Sequence, residues 1–472
     1  MPVSPQRIRQ LNSNEVRPQR EYVLYWSQMN RRVDSNHALL YAAELANKHG
    51  LPVLVYEALT YNYEYANDRL HTFVLEAVPE TTKRLEKAGI GYVFYLRRSK
   101  SDPNDVLYTL AKNAAAIVTD DYPVFIARVH NAAVPARVDV AYYAVDSSCI
   151  VPMSEIPHRQ YGAYTIRPRI HRLLPTYLTA AEPLRVKRRF RGAIPPFHTD
   201  VKADKIRELV ASCKIDHTIA PASEFHGGAA AAEKLLENFL EHKLRRYATG
   251  RNEPSKDATS HMSPYLHFGQ ISSLEIALRV SAYAKQHKLM ADEYLEELIV
   301  RRELAFNYAR FVEDPGDLKN LPDWCQLNMQ RHAKDKRDPV YSPEQFERAE
   351  THDELWNACQ KEMLQRGKIH GYYRMYWGKK VIEWSETYEE AARTMIDIHG
   401  RYALDGRDPN TYTNIFWCFG LHDRPWPERP IFGTMRFMSL DGMKRKTDTQ
   451  AYIAEINAGS GSENKQRQLW TS

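Results

Sequence analysis

Three stretches of the sequence carry side chains that could do chemistry. The first is GYYRMYWGKKVIEWS (371–385), where Trp377 and Trp384 lie seven residues apart behind Tyr372, Tyr373 and Tyr376. Read as a helix, seven residues make two turns, so both indoles share one face, about 10 Å apart along the axis. Such a stripe is ordinarily core packing. Indoles can also hand an electron hole from ring to ring, which aliphatic side chains of equal size cannot.

The second stretch is RNEPSKDATSHMSPYLHFGQISS (251–273), in which Thr259, Ser260 and Ser263 offer hydroxyls just ahead of the helix-opening Pro264. Hydroxyls and free N–H groups at a helix start suit a phosphate or pyrophosphate, although by spacing alone a plain N-cap is the better reading. The third is RYALDGRDPNTYTNIFWCFGLHDRPWPERP (401–430), dense in Gly, Pro and Asp/Arg, with Trp417 and Trp426 embedded. It reads as an ordered loop of the kind that carries binding residues; Asp405 and Arg407 read equally as surface ion pairs. Paired carboxylates, a Ser/His/Asp order and a phosphate-binding Gly-rich loop are all missing, which weighs against a hydrolase or an NTPase.

These segments need elements to hold them. Residues 22–150 alternate β-branched or aromatic runs (22–26, 51–59, 91–98, 115–123, 140–147) with helical patterns at 37–50, near 71–89 and from about Asn104. That alternation predicts a Rossmann-like, doubly wound parallel sheet of five strands. No GxGxxG follows the first strand, so no dinucleotide fingerprint is present. From about residue 204 the pattern is helical with almost no strand signal, which predicts an all-α C-terminal domain. Residues 1–20 read as a flexible arm, 151–203 as a basic connector with little periodicity, and 458–472 as a disordered tail.

The chain has 472 residues, 43% hydrophobic and 26% charged, which fits a soluble globular protein of two domains. No apolar run is long enough to span a bilayer and the N-terminus lacks a signal-peptide core, so the cytoplasm is the expected location. Five scattered cysteines argue for a reducing compartment and against zinc or any other metal. The formal charge of +6 is mild, but eight Arg/Lys crowd 166–191 against one acid, Glu182. That cluster reads equally as a solvated face or as a phosphate-binding surface.

Taken together, SPYLHFGQISS, GKIHGYYRMYW, ALDGRDPN and GLHDRPWPERP resemble the DNA photolyases, specifically the class II cyclobutane pyrimidine dimer photolyases. The resemblance runs from the first strand to about residue 455, and the tryptophan spacing and the DGRDPN loop carry its class II features. It implies that the helical domain binds one FAD and uses its photoexcited electron to split dimers in UV-damaged DNA, with the protein acting as a monomer. Tyr247, Thr259, Ser260, His261, Met262 and Ser263 would wrap the phosphates and ribose, and Arg374 and Asp405 would form the charge pair beside the isoalloxazine. Trp377, Trp356 and then Trp384 toward the surface would carry electrons to the flavin. Glu297 would bond the base edges of the flipped dimer, with Met375 and Trp417 lining its pocket. Arg188, Arg189, Lys444, Arg445 and Lys446 are expected to touch DNA phosphates. A deazaflavin-type antenna chromophore in the α/β domain is compatible with the resemblance, although no residue set decides it.

One departure stands out. Where class II relatives carry Asn close to flavin N5, this chain has His399 in HGRYALDGRDPN. An imidazole can donate, accept or change charge near neutral pH, which predicts a pH dependence between about pH 6 and 8 and leaves room for light sensing. The alternative function is therefore a cryptochrome-like blue-light photoreceptor that uses the same flavin without repair. The short tail beyond the last motif favours the enzyme.

Overall fold

The computed structural model describes residues 2–459. Six strands form one sheet in the order β1-β6-β5-β2-β3-β4, with β1 Ile8–Gln10, β2 Tyr22–Ser27, β3 Val53–Thr60, β4 Gly91–Arg97, β5 Ala114–Asp120 and β6 Ala141–Val145. The five expected strands are all present and mutually parallel. Central β2 and β5 are buried at every position, as a parallel sheet covered on both faces requires.

The sixth strand is a correction. β1 pairs antiparallel with β6, Ile8 opposite Val145, so the expected loose arm is an ordered edge. Its three residues, Ile-Arg-Gln, are half exposed and too few to show an alternation. Just before it, the Arg7 guanidinium is buried and donates to the carbonyls of Asp146, Cys149 and Ile150, which anchors the N-terminus against the end of the sheet.

Helices His37–His49 and Asp68–Ala88 follow β2 and β3. The first stops at Gly50 with φ +67°, a left-handed cap that glycine adopts without a Cβ penalty. The expected connector holds a fifteen-residue helix, Ala163–Tyr177, whose Pro168 and Pro175 hid its period in the sequence. Beyond Ala203 the described residues form helices joined by loops, with isolated bridges and no strand. Residue 458 onward was read as a tail; 460–472 lie outside the described residues.

The helical part docks on the carboxyl edge of the parallel strands. Tyr122, just past β5, donates to Asp408 at 2.8 Å, and Arg69 donates to the carbonyls of Met363 (3.1 Å) and Tyr402 (2.8 Å). Gly269, at φ +64°, admits Met29: a Cβ there would stand 2.0 Å from the Met29 carbonyl oxygen. Among the described residues no helix is long and apolar enough to cross a membrane, and the five cysteines are free and buried.

Candidate active site

The helices enclose an open cavity of about 970 Å³. All eight residues expected to hold a cofactor line it: Tyr247, the run Thr259–Ser263, Arg374 and Asp405. Glu297 lines it as well. This convergence of segments separated by up to 158 positions (405 − 247) is the main structural outcome for the site.

The hydroxyl-rich run differs from its expected form. Ser263 does begin a helix with Pro264 in its first turn, but that helix is only five residues long, Ser263–His267. So short an element has little macrodipole, and the run offers hydroxyls rather than a helix terminus. His261 takes φ +56°, bonds Asp257 at 2.6 Å through Nε2 and leaves Nδ1 buried without a partner. Burial pushes its imidazole down to about 4. Tyr294 donates to the Ser260 hydroxyl at 3.1 Å and stands edge-on to Tyr247, ring centres 5.2 Å apart.

Arg374 extends from the helix Gly371–Trp384, and its Nη2 reaches both Asp405 oxygens, at 3.2 and 3.1 Å. Burial alone would raise the Asp405 carboxyl, but Arg374, Lys368 and the Ser263 hydroxyl outweigh it and hold the carboxyl well below its usual range. Arg374 Nε is buried with no partner. Lys368 also lines the cavity, and burial lowers its ammonium despite the Asp405 charge. Arg374 and Lys368 place two cations beside Asp405, and Arg302, Asp408 and Glu297 add charges of both signs to the lining.

Glu297 lies in a stretch of π-helix, Glu296–Arg301, a distortion that often re-aims side chains at functional sites. It accepts from Arg251 at 2.9 Å, with 44% of its side chain exposed at the cavity rim. Met375 and Trp417 do not line the cavity. Met375 follows Arg374 on the same helix. Trp417 lies on Pro409–Cys418 with the Arg301 guanidinium 5.4 Å over its ring, and its indole N–H is buried and unpartnered.

The three tryptophans are in contact. Trp377 and Trp356 stack with centres 5.9 Å apart and planes 10° apart, and Trp356 meets Trp384 edge-on at 6.3 Å. Gln360 accepts the Trp377 N–H at 3.0 Å, and the Trp377 carbonyl accepts the Trp356 N–H at 3.0 Å, which fixes both rings. The outer end is a correction: Trp384 is only 3% exposed, covered by Tyr341 and His352.

His399 is fully buried, edge-on to Trp377 at 5.1 Å, and is not part of the cavity lining. Burial, with the Arg374 charge, pushes its imidazole down to about 3. It is therefore neutral at physiological pH, and the expected titration between about pH 6 and 8 is not available to it. A carbonyl only accepts, so the 2.9 Å contact with Met395 O assigns the proton to Nδ1, leaving the unpartnered Nε2 an acceptor.

The basic residues separate into two groups. Arg188 donates to the Gly50 carbonyl at 3.2 Å and Arg189 to the Glu86 carbonyl at 2.9 Å. Both cap C-terminal ends of sheet-flanking helices, a favourable place for cations. Those ends precede β3 and β4, so they lie at the sheet edge opposite the helical part. Lys444, Arg445 and Lys446 project exposed from the last turn of Leu440–Lys446.

Several cavity residues escaped the sequence reading, among them Tyr294, Lys368, Asn410, Thr411 and Asn414. Lys368 and Asn410 fall inside motifs already singled out, GKIHGYYRMYW and DGRDPN, and adjacency to those motifs was the available signal. Tyr294 sat in an unremarkable helical pattern.

The cavity now has a family context. The profile of the DNA photolyase family matches residues 23–187. Over 455 residues the chain is 37% identical to the deoxyribodipyrimidine photo-lyase of Methanothermobacter thermautotrophicus, covering 96% of this chain and 98% of that protein. It is 35% identical to the proteins of the same name from Potorous tridactylus (96% and 84% covered) and Arabidopsis thaliana (97% and 93%). A bacterial class III photolyase from Agrobacterium tumefaciens shares the fold at a TM-score of 0.68 and 18% identity, with 96% and 90% of the two chains covered. A Synechocystis cryptochrome does so at 0.68 and 16%, with 96% and 92% covered. The end-to-end identity with the three photo-lyases goes beyond shared fold, and the chain belongs to the DNA photolyase family.

Proposed function

We propose that the chain is a class II cyclobutane pyrimidine dimer photolyase that binds one FAD in the helical cavity and repairs UV-damaged DNA as a monomer. The observation that carries this reading is the meeting of three things at one cavity: the Arg374–Asp405 pair, the Thr259–Ser263 hydroxyls and the carboxylate of Glu297. The residues fit the group. Arg374, which lines the cavity, keeps Nε as a buried donor without a partner.

Bound there in its reduced form, FAD would supply the light-driven electron transfer that opens the dimer. The chain's own residues bind and orient. The hydroxyls of Thr259, Ser260 and Ser263, with Lys368, hold the phosphates. Arg374 and Lys368 offset negative charge that would otherwise be costly to bury. His399 keeps its proton at Nδ1 and presents a bare Nε2. Glu297, at the rim, accepts hydrogen bonds from the edges of the flipped bases. A dimer is already poorly paired, so extruding it costs less than extruding a normal base. Trp377, Trp356 and Trp384 pass electrons inward when the flavin is oxidised. For a deazaflavin-type antenna, the carboxyl edge of the sheet offers a cavity of about 790 Å³ lined by Arg9, Asp121, Tyr122, Arg128 and Arg310.

The test is an absorption spectrum of purified protein before and after blue light with a reductant. An oxidised flavin band that bleaches on illumination supports the reading, and an extra blue-absorbing band that survives flavin reduction reports an antenna. Heat-released supernatant without flavin overturns it.

A further inference from the structure

Glu297 owes its place at the cavity rim to the π-turn Glu296–Arg301. Such turns are rare, and this one is held at both ends. Its first and last residues, Glu296 and Arg301, form an ion pair at 3.5 Å. Residues five apart point about 140° apart in an α-helix, but a π-turn closes from i to i+5 and brings them to the same side. The pair therefore belongs to the π register.

Glu296 is also gripped from outside the turn. Arg167, on the helix Ala163–Tyr177, donates Nε and Nη2 to its two oxygens at 3.0 and 2.7 Å, the two-pronged bond that a guanidinium gives a carboxylate. Burial alone would raise the Glu296 carboxyl, but Arg167, with Arg301 and His171, holds it below the usual range. The chain entering that helix is tied to the chain leaving the turn as well, where the Gln160 N–H donates to Asn307 at 2.7 Å. What the turn aims lies at the site: Glu297 accepts from Arg251 at the rim, and the Arg301 guanidinium lies over the Trp417 ring. Were the turn to relax to an α-helix, the residues on its two sides would rotate by about 100° relative to each other, and neither grouping would survive.

We infer that Arg167 is a positioning residue for dimer recognition, which locks the π-turn through Glu296 and so sets the aim of Glu297. This rests on the role of Glu297 proposed above. It gives one member of the basic run 166–191 a use other than binding phosphate, since both prongs of Arg167 are engaged within the chain. The Arg167 side chain is 38% exposed, so the grip weighs little on overall stability and a variant should fold.

The experiment compares binding of a thymine-dimer duplex and an undamaged duplex by FAD-loaded protein in the dark. Arg167→Gln should lower the preference for damaged DNA by up to about tenfold, the weight of one hydrogen bond to a charged group. Binding of undamaged DNA, its salt dependence and the flavin content should not change. Arg167→Lys should not restore the preference, since an ammonium keeps the charge but not the fork. In a Glu297→Ala background Arg167→Gln should have no further effect, as a residue acting through Glu297 requires. Equal weakening on both duplexes, with a salt slope smaller by about one, would make Arg167 a phosphate contact and overturn the inference. An unchanged preference, or the same loss with and without Glu297, would overturn it too. If Glu297→Ala alone leaves preference and repair intact, the proposed role of Glu297 fails first, and the inference falls with it.

Discussion

Among the described residues Asp405 is the only carboxylate bonded to Arg374, and replacing it with Ala leaves the two cations Arg374 and Lys368 lining the cavity without it. The side chains of Arg374 and Asp405 are 12% and 7% exposed, so the pair is effectively interior. Breaking such a pair from one side costs about 3–5 kcal/mol. The cavity admits water, which favours the lower end, about 3 kcal/mol. A cooperative unit of about 250 residues unfolds with an entropy of about 0.5 kcal/mol/K, so the midpoint should fall by about 6 °C. Thermal unfolding of flavin-free protein reads this without any effect of the cofactor. The double variant Asp405→Ala, Arg374→Met should recover part of the loss, because the uncompensated guanidinium is gone. The sign with pH follows: the folded Asp405 carboxyl lies below its unfolded value, so its contribution is present above about pH 4 and is lost as the pH falls through the folded value. Effects of the two substitutions that add to within about 0.5 kcal/mol would show that the residues do not act as a pair.

Trp377→Phe keeps a ring of similar shape, so stability should change little, while light-driven reduction of oxidised flavin nearly stops; repair from chemically reduced protein should continue. Trp384→Phe should slow photoreduction less completely. Changing Arg188 and Arg189 to Gln should leave the salt dependence of DNA binding unaltered, because both guanidiniums cap helices away from the cavity; a slope lowered by about one or two phosphate contacts would return them to the DNA surface. Burial holds the imidazoles of His71, His261, His370, His399 and His422 at about 3 to 4. Among the described residues, those without a carboxylate partner, His71, His370, His399 and His422, are neutral when folded and charged when unfolded between that value and about 6.5, so stability should begin to fall as the pH drops below about 6.5. Urea titrations at pH 7 and 5 measure this, and equal midpoints would contradict it. For the same reason, photoreduction should be flat between about pH 6 and 8 in both the unmodified protein and His399→Asn.

What the sequence made legible follows the range of its signals. The five parallel strands announced themselves as near-continuous apolar runs, because both faces of that sheet are covered. β1 did not, since a three-residue edge strand carries no period. The helix Ala163–Tyr177 was hidden by its own prolines. At the site, motif resemblance located Arg374, Asp405 and Thr259–Ser263, which the fold assembles at one cavity. It could not report that Trp384 is covered, that His399 is neutral, or that Arg188 and Arg189 bond helix carbonyls. Those are properties of tertiary neighbours, Tyr341 and His352 in one case and the Gly50 and Glu86 carbonyls in another. The π-helix that aims Glu297 is likewise a backbone event with no residue signature.

The most direct test of the account is light-dependent splitting of a single thymine dimer in a duplex by protein carrying chemically reduced FAD, followed by chromatography of the DNA strands. Blue light should restore the two thymines, darkness should not, and Glu297→Ala should cut the yield with its flavin content unchanged. A dimer that stays intact under light, with reduced flavin demonstrably bound, would contradict the proposed function.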